Sequence, residues 1–212
     1  MNKYIIEFLG TFFLVLIIAT SQNPLAIGLG LSVLVYMGAH VSGAHYNPAV
    51  TLAMFINNQI DIKESGKYVA SQLAGSVAAV YSLAKLGKDS FFVIPPVENQ
   101  NINIQSFYFA EILFTFLLVF VILNVALNKR LEGNQFYGLA IGLTVTAGIF
   151  SVGDVSGAVF NPAVSFGSSL MGMIESQVTG NNISSSDFFG DYLISGIIGS
   201  VLASYLYKKV FK

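Results

Sequence analysis

The sequence predicts an all-α membrane protein with six transmembrane helices and two re-entrant half-helices, arranged as an inverted repeat. Three observations predict this fold class. The chain of 212 residues is 54% hydrophobic and only 10% charged, with a mean hydropathy of +0.70. Soluble domains carry about a quarter charged residues, so the lipid bilayer is the solvent this composition suits. The phrase Val41-Ser42-Gly43-Ala44-His45-Tyr46-Asn47-Pro48-Ala49-Val50 returns as Val155-Ser156-Gly157-Ala158-Val159-Phe160-Asn161-Pro162-Ala163-Val164, 114 positions later. Apolar runs of spanning length fall three to each half, and an odd number forces the second half into the membrane upside down.

The spans are read in order at about 4–20, 25–42, 67–85, 107–127, 136–153 and 189–207. A bilayer core needs about 20 apolar residues per helix, which these runs meet, some narrowly. Two further apolar runs, 48–57 and 162–173, follow the Asn-Pro-Ala triplets and are too short to span, so they read as half-helices. Polar connections are expected at 86–106, with Pro95-Pro96, and at 174–188, rich in Ser and Asn. The chain reads as one transmembrane domain over 1–212, with repeat 1 at about 1–90 and repeat 2 at about 105–212. The first apolar run has no basic leader and no small-residue cleavage site, so it reads as a retained span rather than a signal peptide.

The repeat extends well past the decapeptide. Leu25 to Leu29 matches Leu139 to Leu143. Glu7, Thr11, Phe12, Leu14 and Val15 match Glu111, Thr115, Phe116, Leu118 and Val119. Tyr68, Ser71, Gly75, Ser76 and Tyr81 match Tyr192, Ser195, Gly199, Ser200 and Tyr205. The spacing grows from 104 to 114 to 124 along the chain, as it does when loops lengthen and helices do not. With both termini cytoplasmic, Lys3, Lys63, Lys67, Lys129, Arg130, Lys208, Lys209 and Lys212 lie inside, leaving only Lys85 and Lys88 outside. That asymmetry satisfies the positive-inside rule.

Asn-Pro-Ala is a helix start. Asn caps an orphan backbone donor, Pro occupies the first helical position where no N–H is needed, and Ala propagates the helix. Irregular backbone such as Ser-Gly-Ala survives at membrane depth only when buried in protein or lining a wet cavity. Two inverted copies bring Asn47-Pro48-Ala49 and Asn161-Pro162-Ala163 tip to tip near the midplane. Each tip carries about half a positive charge, which repels cations. The two carboxamides can donate to a passing oxygen, so the product expected is a narrow pore for neutral hydroxylic molecules. Asn23-Pro24 lacks the repeat context and reads as a turn.

These residues resemble the major intrinsic protein family, the aquaporins and glycerol facilitators, over nearly the whole chain. The resemblance rests on Glu7 with Gly10-Thr11, Ser42-Gly43 to Thr51, Glu111, and Gly142-Leu143 through Ala163. It implies six tilted helices, two half-helices, one pore per subunit and a homotetramer. It implies a ladder of pore carbonyls from Gly43, Ala44 and His45 and from Gly157, Ala158 and Val159. Family members usually carry Arg after the second Asn-Pro-Ala, where this chain has Val164. Counting from the two Asn residues, the resemblance places the selectivity filter at Ile27, Ile149, Ala158 and Val164, without donor, charge or ring. Ser165 stands where glycerol facilitators usually have Asp, which leans toward a water-type subgroup.

Glu7 and Glu111 are intramembrane acids, candidates for a proton relay. The favoured reading makes them buried structural acceptors for the loops before the half-helices, as the resemblance also implies. His40 is assigned to packing. His45 is read as structural, with protonation gating as the sharper alternative. Asp154 reads as a vestibule charge, Asn182-Ile183-Ser184 as a weak glycosylation match, and the helical glycines as packing contacts.

The leading function is a passive channel for water and small uncharged solutes. The alternatives are a broad facilitator for glycerol, ammonia or hydrogen peroxide, and an ion-coupled secondary transporter. The expected partners are the lipid bilayer, the permeants and further copies of the chain. A net charge of −1 makes no case for nucleic acid, and zero cysteines exclude disulfides, thiolate metal sites and cysteine nucleophiles. No cofactor, metal site or catalytic residue is expected. Short tails and loops favour a microbial plasma or inner membrane.

Overall fold

A computed structural model describes residues 2–86, 103–179 and 188–211. Lys88, Pro95-Pro96, Lys212, the Asn182-Ile183-Ser184 triplet and most of the 86–106 connection lie outside the described residues. The helices in chain order are α1 (Asn2–Ser21), α2 (Pro24–Ser42), α3 (Pro48–Ile56), α4 (Ile62–Lys85), α5 (Ile104–Leu127), α6 (Tyr137–Ser156), α7 (Pro162–Thr179) and α8 (Phe189–Phe211), with a short 3₁₀ turn at Lys129–Leu131. No strand occurs among the described residues.

Five of these helices, α1, α2, α5, α6 and α8, are long and apolar enough to cross a membrane. The sixth span, α4, is long enough at 24 residues, about 36 Å at the α-helical rise. It is less apolar because it carries Lys63, Glu64, Lys67 and Lys85 as well as Ser65, Gln72 and Ser76, the last three of which are buried. It starts at Ile62, five residues before its apolar run. Asp61 Oδ1 accepts from Glu64 N at 2.7 Å, and Asp-x-x-Glu at a helix start is a capping-box pattern.

Three expectations need correction. The second half-helix does not stop near 173: α7 runs 18 residues, to Thr179, although only Pro162–Ile174 is apolar. Residues 175–179 contain neither Gly nor Pro, so the hydrogen-bond ladder continues past the end of the apolar surface. Part of the expected 174–188 loop is therefore helix. Asn23-Pro24 is not merely a turn, since Asn23 Oδ1 accepts from Leu25 N at 2.9 Å and Ala26 N at 3.1 Å, with Pro24 as the first residue of α2. His40 is exposed in the chain, in the last turn of α2, rather than packed.

The helix contacts reproduce the repeat. The pairs α1·α4, α1·α2, α3·α4, α4·α7 and α3·α5 are mirrored by α5·α8, α5·α6, α7·α8, α3·α8 and α1·α7. The pairs α2·α6 and α3·α7 map onto themselves, so they sit on the pseudo-two-fold axis. At the α2·α6 crossing the backbones approach so closely that a Cβ at Gly28 would overlap the Gly142 carbonyl, and one at Gly142 would overlap that of Gly28. Small residues permit such approach between membrane helices.

Candidate functional site: a pore built from two opposed half-helices

Each half-helix is approached by a strained loop. α2 ends at Gly43, with φ +85°, and α6 at Gly157, with φ +84°. The next residues alternate back into left-handed backbone, with Ala44 and Tyr46 at φ +51° and +50°, and Ala158 and Phe160 both at +51°. A non-glycine residue in that region costs about 1–3 kcal/mol and persists only where its surroundings over-determine it.

Two buried acids supply that constraint. Glu7 Oε1 accepts from Ser42 Oγ at 2.7 Å and His45 N at 2.9 Å, and Oε2 from Tyr46 N at 2.7 Å and Gln72 Nε2 at 2.8 Å. Glu111 mirrors this with Ser156 Oγ at 2.6 Å, Val159 N at 3.1 Å and Phe160 N at 2.9 Å. Glu111 has no equivalent of Gln72, whose place in the second half is Gly196. Tyr68 Oη donates to Ser42 O at 2.8 Å, and Tyr192 Oη donates to Ser156 O.

The Asn residues then join the halves. Asn47 Oδ1 accepts from Ala49 N at 2.8 Å while its Nδ2 donates across the axis to Phe160 O at 2.8 Å. Asn161 Oδ1 accepts from Ala163 N at 3.0 Å while its Nδ2 donates to Tyr46 O at 2.9 Å. Each carboxamide has two N–H donors, so one stays uncommitted after the cross-axis bond. A second exchange holds the first turns. Ser76 Oγ donates to Ala163 O at 2.7 Å, and Ser200 Oγ to Ala49 O at 2.8 Å.

A cavity of about 1430 Å³ runs past these tips. It reaches from Gln22 and Asp154 at one end to Asn128, Lys129 and Glu132 at the other. Since α1 and α5 are inverted mates, the C-terminal ends of these two helices mark opposite faces of the bundle. Asn47, Asn161, Gly43, Ala44, His45, Gly157 and Val159 all line the cavity, as do Ile27, Ile149, Ala158 and Val164. Pro48, Ala49, Pro162 and Ala163 do not line it; they form the helix starts behind it.

The family model for Major intrinsic protein matches residues 1–207. The chain belongs to the major intrinsic protein family. It is 35% identical to Aquaporin NIP1-2 of Arabidopsis thaliana, covering 99% of this chain and 74% of that protein. It is 34% identical to Glycerol uptake facilitator protein-like 6 of Lactiplantibacillus plantarum, covering 97% and 96%. Nodulin-26 of Glycine max is 31% identical over 99% of this chain and 78% of its own length. The fold matches the crystal structure of the Plasmodium falciparum aquaglyceroporin with a TM-score of 0.80, at 24% identity over 99% and 96% of the chains. As a member of the major intrinsic proteins, the chain is a multi-pass membrane channel and not an enzyme.

The motif residues were identifiable in advance, but their supports were not. Gln72, Ser76, Ser200, Tyr68 and Tyr192 carry hydrogen bonds that no motif names. Four of the five recur at the 124-residue spacing. A polar side chain that repeats inside an apolar helix was the available signal for them. Gln72 breaks the repeat and offered none.

Proposed function

We propose that this chain is a passive channel for water and small uncharged solutes that excludes ions at the paired half-helix tips. The observation that carries the reading is the reciprocal bonding of Asn47 and Asn161 across the axis. It fixes two helix N-termini in one cavity, each presenting an uncommitted amide donor. A permeant oxygen fits between such donors, whereas a cation meets two partial positive charges in a low-dielectric setting. Cation exclusion rests on these tips because the usual Arg is absent.

The proposed filter is Ile27, Ile149, Ala158 and Val164, an apolar ring whose conductance depends on whether it stays wetted. The proposed ladder of oxygen acceptors comes from Gly43, Ala44 and His45 and from Gly157, Ala158 and Val159. Lacking an Arg to bind oxygen and narrow the opening, this ring favours a broad facilitator of glycerol, ammonia or hydrogen peroxide as the second reading. We further propose a homotetramer in a plasma or inner membrane, the assembly being what the family resemblance implies, with both termini cytoplasmic; that orientation is supported by Lys3, Lys63, Lys67, Lys129, Arg130, Lys208 and Lys209 on one face against Lys85 on the other.

Stopped-flow light scattering on proteoliposomes tests the proposal. Water flux is expected well above that of protein-free vesicles, with glycerol also passing. Val164→Arg is expected to cut glycerol passage by about tenfold or more while water still permeates, since one strong discriminating contact is worth over 1.4 kcal/mol. Wild-type flux no faster than bare lipid would overturn the channel reading. Untouched glycerol passage in Val164→Arg would show that the filter lies elsewhere.

A further inference from the structure

We propose that Lys208 is a specificity-determining residue of the channel: its ammonium, seated on the last carbonyl of α3, repels cations from behind the Asn47 tip. This role rests on the channel reading above and adds to it a residue outside the pore. Lys208 lies in the last turn of α8 and does not line the cavity.

The C-terminus of a helix leaves four carbonyls without partners inside the helix. In α3 three of them find backbone amides: Ala53 O accepts from Asn57 N at 3.0 Å, Met54 O from Gln59 N at 2.9 Å and Phe55 O from Asn58 N at 3.0 Å. The fourth, Ile56 O, accepts from Lys208 Nζ at 2.6 Å. The seat is built by α8, which runs along the half-helix. Gly196, Ser200, Ser204 and Lys208 recur every four residues and so share one face of α8. At the start of that row a Cβ on Gly196 would lie 3.5 Å from Ala49 Cβ, and Ser200 Oγ donates to Ala49 O at 2.8 Å. Ser204, fully buried, stands between that contact and Lys208. The row thus follows α3 from its first turn to its last.

A helix carries about half a positive charge at its N-terminus and about half a negative charge at its C-terminus. The negative end of α3 therefore offsets, at a distance, what the positive tip does nearby. An ammonium on that end outweighs it. The half-helix becomes a net cation, whose field reaches further than that of a dipole. Among the described residues no acidic side chain forms a salt bridge with Lys208, so the charge is not cancelled; the salt bridge found there joins Lys3 to Glu64. The nine residues of α3 make it about 14 Å long at the α-helical rise. A unit charge about 15 Å from an ion, at an effective dielectric of about 20, lowers its occupancy roughly sixfold, and less where water and salt screen it.

The second half lacks this residue. At the 124-residue spacing Gln72, Ser76, Val80 and Ala84 match Gly196, Ser200, Ser204 and Lys208, so the row on α4 keeps one serine and has no lysine. The near-symmetric scaffold therefore carries a one-sided charge, behind the first Asn only. It bears more of the exclusion here than in a channel with Arg at the filter, because Val164 supplies no charge.

The test reads potassium leak from phosphatidylcholine vesicles per unit of osmotic water flux, which counts the folded channels. It uses the Asn161→Asp channel, whose carboxylate at the opposite tip makes the leak large enough to follow. In that background Lys208→Met is expected to raise the leak about twofold to sixfold at about 10 mM salt, where the screening length is about 30 Å, and hardly at all at about 1 M, where it is about 3 Å. Lys208→Gln, neutral but still a donor, is expected to do the same. Lys208→Arg keeps the charge and is expected to leak as the Asn161→Asp parent does. A purely structural role would give a leak that ignores salt. An unchanged leak in the neutral variants, or a rise that persists at high salt, would overturn the proposal. A tight Asn161→Asp channel overturns ion exclusion at the tips and this charge with it. Wild-type water flux no faster than bare lipid overturns the channel reading itself.

Discussion

Glu7 and Glu111 show why a buried acid in a membrane helix need not be a transport group. Both are fully enclosed, and each spends its oxygens on the loop that carries the following Asn. Changing Glu7 to Gln turns an acceptor into a part-donor facing four donors, and leaves at least one buried N–H unpaired at about 1–3 kcal/mol. Glu7→Gln is therefore expected to lower the thermal unfolding midpoint in detergent, followed by circular dichroism. Glu111→Gln is expected to lower it less, because three donors rather than four converge there. Equal losses would mean that the Gln72 bond contributes nothing. The same residues mark what a sequence can reveal at this scale. Cap chemistry is local, so Asn47 and Asn161 were readable from three letters each. Gln72 acts 65 positions from Glu7, and nothing near it in the chain announces the partner.

Helix positions were readable because hydrophobic length is a direct imprint of the bilayer. Helix ends were less so, since they depend on capping and on the absence of breakers. α4 began early at the Asp61 cap and α7 ended late for want of a Gly or Pro. Packing between elements turns on side-chain volume at crossings, which periodicity does not report. A Cβ on Gly75 would press on the Phe8 carbonyl of α1, whose backbone cannot yield as a side chain can. Its mate Gly199 presses likewise on Thr115 and the Ile112 carbonyl of α5. Gly66 lies in the same helix as Gly75 with nothing within 4 Å. Gly75→Ala is expected to destabilise the fold by about 1–3 kcal/mol, as overpacking does. Gly66→Ala is expected to stabilise it by up to about 1 kcal/mol through helix propensity. Thermal melts of the two variants, side by side, check the opposed signs.

Across the whole molecule, the mirrored contacts make each half the support of the other. α4 holds the start of α7, α8 holds the start of α3, and each Asn donates to the opposite loop. A rigid site of this kind suits a channel better than a transporter, which must rock one repeat against the other. Solute flux is accordingly expected to rise linearly with the gradient, without saturation or dependence on an ion gradient. In the proposed channel the paired tips, rather than the apolar ring at Val164, exclude ions. Asn161→Asp separates them. A carboxylate keeps the acceptor for Ala163 N, loses the donor to Tyr46 O, and places a negative charge where the helix ends are positive. At an effective dielectric of about 20, a unit charge about 4 Å away is worth roughly 4 kcal/mol. Cation leak is therefore expected to rise about tenfold or more under a potassium diffusion potential, read with a potassium-selective dye in vesicles, while osmotic water flux is retained. An Asn161→Asp channel that conducts water and remains tight to potassium would move ion exclusion away from the tips and onto the apolar ring at Ile27, Ile149, Ala158 and Val164.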